Sequence, residues 1–72
     1  MDLKDITGSS NIEAIGYSPE TKVLRVRFRG GSLYDHHDFS AEDHESFMAS
    51  DSKGSHYHAN IKGKFKHTKV TT

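Results

Sequence analysis

Three guanidinium groups sit at every second position of the stretch K-V-L-R-V-R-F-R-G-G-S-L-Y-D-H, Lys22 to His36: Arg25, Arg27 and Arg29 alternate with Leu24, Val26 and Phe28. Successive side chains of a strand point to opposite faces, so one face of this segment is oily and the other carries three cations. Tyr34 and His36 follow directly, and Lys53, Lys62, Lys64, Lys66 and Lys69 come from the C-terminal stretch. Guanidinium and ammonium groups contact phosphates, and an aromatic face stacks on an unpaired base; sheet-based RNA binders combine the two. The set is therefore a candidate surface for RNA or single-stranded nucleic acid. The blander account of the same residues is a solvated sheet face whose charges keep strand edges from aggregating.

Six histidines in 72 residues invite a metal site, but their spacing argues against one. His36 and His37 are neighbours and point to opposite faces of a strand, while His56 and His58 lie about 200° apart on a helix at 100° per residue. His36 with Asp38, or Asp35 with His37, could converge, yet neither pair supplies three ligands and there is no H-E-x-x-H or thiolate set. No metal and no cofactor is expected. Nor is catalysis: no G-x-S-x-G elbow, phosphate-binding loop or dinucleotide fingerprint occurs, and so short a chain has little room for a deep pocket.

The elements that must position these residues follow from the pattern around them. Asn11 to Tyr17 reads as a strand whose alternation slips between Ala14 and Ile15, so a bulge there would put Ile12 and Ile15 on one side. Ser18-Pro19-Glu20-Thr21 is a turn, and Gly30-Gly31 reverses the chain into a third strand through Leu33, Tyr34 and His36. The length of that second turn decides the surface. Two residues at Gly30-Gly31, the favoured reading, set Arg27 opposite Tyr34 and give Tyr34 and His36 the arginine face; three residues set Tyr34 opposite Val26, towards the core. Ser40 caps a first helix opened by Ala41, Glu42 and Asp43. Ser52 can cap a second, in which Tyr57, Ile61 and Phe65 recur every four residues until Gly63 intervenes, and Lys66 to Val70 could add a short edge strand.

The predicted fold is α+β: a three-stranded antiparallel β-meander packed against two short helices, with room for a short C-terminal strand. Residues 9–67 form the domain, between flexible ends at 1–8 and 68–72. One small core is all that this length supports. The formal net charge is zero but divided, since residues 1–52 hold all ten acids and five of the ten bases, whereas residues 53–72 hold five lysines and no acid. That division suits a complementary protein partner or self-association as well as it suits a phosphate patch. The absence of cysteine, of any long apolar run and of a basic, apolar N-terminal stretch leads to the expectation of a cytoplasmic protein without a membrane segment.

The order S-S-N-I-E-A-I-G-Y-S, L-R-V-R-F-R-G-G-S-L-Y-D-H and A-S-D-S-K-G-S-H-Y-H-A-N-I-K-G-K-F resembles the KTSC domain. That family is named after a C-terminal segment of some lysyl-tRNA synthetases and also occurs as small stand-alone proteins of bacteria and their phages. Ser52, Gly54, Asn60 and Ile61 match its later signature. Its central Tyr-x-Tyr is Tyr34-Asp35-His36 here, and Phe39-Ser40 stands where Val-Pro usually enters the first helix. The resemblance implies a compact α+β domain for which RNA binding has been suggested.

Overall fold

The computed structural model describes residues 2–7 and 9–70. The chain forms one antiparallel sheet in sequential order, β1 (Lys4–Asp5), β2 (Ile12–Ser18), β3 (Val23–Phe28), β4 (Leu33–His36) and β5 (His67–Lys69). Between β4 and β5 the chain crosses one face of the sheet as α1 (Ala41–Ala49) and α2 (Lys53–His56), the latter continuing into a single wide π turn over Tyr57–Ile61. The α+β class and the two helices agree with the sequence reading. The strand count does not, since the three-stranded meander gains an outer strand on each side. Of the ends expected to be loose, positions 1, 8, 71 and 72 lie outside the described residues, while Lys4–Asp5 and His67–Lys69 pair with β2 and β4.

Local chemistry accounts for the boundaries. Ser40 accepts the Asp43 amide at 3.1 Å, and Ser52 accepts that of Ser55 at 3.3 Å, so each helix starts on a hydroxyl that satisfies an amide left free in the first turn. In the wide turn the Lys62 amide bonds the Tyr57 carbonyl at 2.8 Å, and Gly63 then leaves the helix at φ +76°. The irregularity of β2 lies between Ile12 and Ala14, one step before the predicted slip, and it buries both Ile12 and Ile15.

The core forms between the inner face of the sheet and the helices. Ile12, Ile15, Leu24 and Val26 supply the sheet side; Phe39, Phe47, Tyr57 and Ile61 cover it, with Phe28 and Phe65 half-buried at its margin. Burying a large apolar side chain stabilises by roughly 1.5–3 kcal/mol, so this one cluster supplies most of the drive to fold.

The β3–β4 hairpin turns through three residues, not two. Phe28 N–H bonds the Ser32 carbonyl at 2.8 Å, Gly31 N–H bonds the Phe28 carbonyl at 3.0 Å, and both Gly30 (φ +101°) and Gly31 (φ +98°) occupy conformations open to glycine. Arg25 therefore faces Asp35, Val26 faces Tyr34, and Leu24 faces His36. The favoured register of the sequence reading is overturned, and Tyr34 and His36 move to the face opposite Arg25 and Arg27. The physical reason is the carboxylate of Asp35: the two-residue register would turn it into the core, where an unpaired charge is costly, and the observed one sets it beside a guanidinium.

Candidate functional site

The outer face of the sheet is neutralised. Arg25 holds Asp35 through two hydrogen bonds, Nε to Oδ1 at 2.6 Å and a terminal nitrogen to Oδ2 at 2.9 Å. This fork keeps the Asp35 carboxyl below the usual carboxylate range and raises the Arg25 guanidinium above its own. Arg27 donates from Nε to Glu13 at 2.8 Å, with Asp5 4.0 Å from its second nitrogen. The two arginines are thus paired with acids from neighbouring strands, and the tyrosine predicted beside them is on the other side.

On the inner face, where the β3–β4 hairpin and β5 meet the wide turn after α2, an open cleft of about 590 Å³ is present. Its aromatic walls are Phe28, Tyr34 and Tyr57. Phe28 meets Tyr57 edge to face with ring centroids 5.1 Å apart, and meets Tyr34 likewise at 6.0 Å. Three histidines complete the ring lining: His36, His58 and His67. Arg29 and Lys62 are its cations, Ser10 and Asn11 its neutral polar side chains, and no Asp or Glu stands among the described lining residues. Arg29 is steadied at the hairpin tip by a 3.1 Å bond from Nε to the Ser9 carbonyl, and its terminal nitrogens have no partner among the described residues. A second, polar cleft of about 510 Å³ adjoins through Ser10, Asn11 and His58, and it is walled further by Ser9, Ser52 and Ser55.

The predicted site residues thus divide into three groups. Arg29, Tyr34, His36 and Lys62 come together in the cleft. Lys64 and Lys66 are exposed on the segment that links two of its lining residues, Lys62 and His67, and Lys69 faces Tyr34 across the β4–β5 pair. Arg25 and Arg27 are separated from all of these, and Lys53 is turned to the Ser50 carbonyl at 2.6 Å, where it caps the end of α1. The sequence reading missed Phe28, Tyr57, His58, His67, Ser10 and Asn11. Phe28 carried a signal, since it shares the parity of Leu24 and Val26. The others reach the cleft only through tertiary packing.

His36 is the floor of the cleft and only 2% exposed. Its Nε2 lies 3.1 Å from the Tyr57 hydroxyl, and its Nδ1 is buried without a partner among the described residues. Desolvation, reinforced by the nearby His67, pushes its pKa down to about 4. Burial likewise raises the Tyr57 phenol, with the neighbouring Tyr34 adding to the effect. Both groups are therefore neutral at pH 7. His44 stacks on Tyr17 with ring centroids 4.5 Å apart, and no cluster of three or more metal-ligating side chains forms among the described residues.

Comparison with known proteins agrees with this architecture. A crystal structure of a KTSC domain protein from Yersinia pestis superposes with a TM-score of 0.93 over 97% of both chains at 33% identity. A protein of Tsukamurella paurometabola is 34% identical over 58 residues, which cover 81% of this chain and 87% of the relative. A lysine–tRNA ligase of Nostoc sp. is 34% identical over 62 residues, but this chain spans only 11% of that enzyme's length. The KTSC domain model itself matches residues 8–65, and the chain belongs to the KTSC domain family.

Proposed function

We propose that this is a non-catalytic binding domain for RNA or single-stranded nucleic acid, and that its ligand enters the inner-face cleft and not the arginine face. The observation that carries this reading is the lining: three aromatic rings beside Arg29 and Lys62, with no carboxylate among the described lining residues. Rings accept the face of an unpaired base, and free cations accept the phosphates on either side of it. The volume suits one nucleotide unit better than a continuous strand. Lys64 and Lys66 extend the positive field along the exposed segment beside it. The likeness to a segment of a lysine–tRNA ligase adds support, because that enzyme's name places it on an RNA substrate.

Titration of a labelled short single-stranded RNA, followed by fluorescence anisotropy, tests the proposal. Two phosphate contacts predict a shallow salt dependence, with log affinity falling against log salt at a slope of about −1.4. Double-stranded RNA, whose bases are stacked inside the helix, should bind far more weakly. Absence of binding at low salt, or equal binding of the duplex, would overturn the reading and return the charge division to an interaction between proteins.

A further inference from the structure

The contact between His36 and Tyr57 has a direction. A neutral imidazole carries one proton, and two arrangements fit the 3.1 Å separation between Nε2 and the phenol oxygen. With the proton on Nδ1, Tyr57 donates to Nε2, and a buried N–H is left without an acceptor, because Nδ1 has no partner among the described residues. With the proton on Nε2, the imidazole donates to the phenol oxygen, Nδ1 keeps only an unused lone pair, and the released phenol O–H has the open cleft lined by Tyr57 to turn to. Orphaned buried N–H groups are the rarer and costlier defect, so the second arrangement prevails. Double protonation, which would put an N–H on both nitrogens, is disfavoured by the same burial that lowers the affinity of the ring for protons.

Tyr57 then accepts from His36 and retains its own proton. His36 is the sole hydrogen-bond partner of that hydroxyl among the described residues, and Tyr57 lines the cleft. We infer that Tyr57 offers its O–H to the ligand, fixed as a donor by His36, so that the cleft selects ligands with an oxygen acceptor at that point. The inference rests on the nucleotide reading of the cleft and deepens it. Arg29 and Lys62 are also donors without acceptor capacity, so the three anchoring groups ask for the same complement: a phosphate oxygen or a base carbonyl. A ligand presenting an N–H there would meet a donor with a donor and leave both unpaired.

Two measurements on the whole domain decide the matter. Imidazole nitrogen NMR of the free protein should show His36 protonated at Nε2 and bare at Nδ1. Tyr57→Phe keeps the buried ring and removes only the hydroxyl; it should weaken binding of uridine 5′-monophosphate by about tenfold, the usual cost of one hydrogen bond to a charged or strongly accepting group. Uridine serves as the second probe. An equal loss on both ligands assigns the acceptor to the nucleoside, and a loss confined to the monophosphate assigns it to the phosphate. A proton on Nδ1, or unchanged affinity in Tyr57→Phe, would overturn the inference. Failure of the unaltered domain to bind either probe would overturn the nucleotide reading instead, and the nitrogen spectrum would still decide the donor role.

Discussion

The two faces of the sheet carry the same kinds of residue and use them differently. On the outer face, Arg25 and Arg27 are matched with Asp35 and Glu13 at hydrogen-bonding distance. On the inner face, Arg29 and Lys62 stand with aromatic rings and without any acid among the described lining residues. A cation already paired has little left to give a phosphate; one whose only hydrogen-bond partner among the described residues is a backbone carbonyl stays available to an anion. The comparison teaches that charge count alone does not show where cations stand unpaired, and that the position of the carboxylates does.

Substitutions should separate the two faces, beginning with the largest effect. Tyr57→Ala removes a buried ring that touches Phe28 and His36. It should destabilise the domain by about 3–5 kcal/mol in chemical denaturation, which identifies the cleft wall as part of the core.

Acid comes next. His36 titrates near 6.5 when unfolded and near 4 in the fold, so between those values the unfolded chain binds more protons. Stability at pH 7 is unaffected, begins to fall below about pH 6.5, and should be lower by about 3 kcal/mol at pH 4. Denaturant midpoints across this range measure it, and a His36→Gln variant should lose most of the dependence, leaving the part that belongs to His44, whose pKa burial also lowers. The outer face contributes later: the depressed Asp35 carboxyl gives stability that is present above its unfolded value of 3.8 and lost only as pH falls through the folded value.

The double variant Arg29→Ala with Lys62→Ala should weaken binding of short single-stranded RNA by about tenfold or more, and flatten its salt dependence. Arg25→Gln should have the smallest effect. It breaks a partly buried pair at a cost of about 1 kcal/mol of stability and leaves RNA affinity unchanged within experimental error. A reversed order of these two results would return the ligand to the outer face.

Much of the scaffold was legible in the residues. The Arg-x-Arg-x-Arg alternation fixed β3, Ser40 and Ser52 marked both helix starts, and the run Lys66 to Val70 held the C-terminal strand. What failed was one residue of register at Gly30-Gly31, because two glycines satisfy a two-residue or a three-residue turn equally well. The arbiter was available in Asp35, whose charge belongs opposite Arg25 and not in a core. The outer strand at Lys4–Asp5 left no trace in the pattern, since two polar residues show no period. The cleft was half legible. Arg29, Tyr34, His36 and Lys62 were among the candidates, but Tyr57 read only as one of a helical stripe with Ile61 and Phe65, and packing alone shows that its ring serves both core and cleft.

The central claim is that the ligand face is the inner-face cleft between the β3–β4 hairpin, β5 and the wide turn after α2. Amide and side-chain chemical shifts recorded while a short single-stranded RNA is added test it most directly. The account predicts movement at Arg29, Tyr34, Tyr57, His58, Lys62 and His67, with Arg25 and Arg27 still; movement centred on Arg25 and Arg27, with a silent cleft, would contradict it.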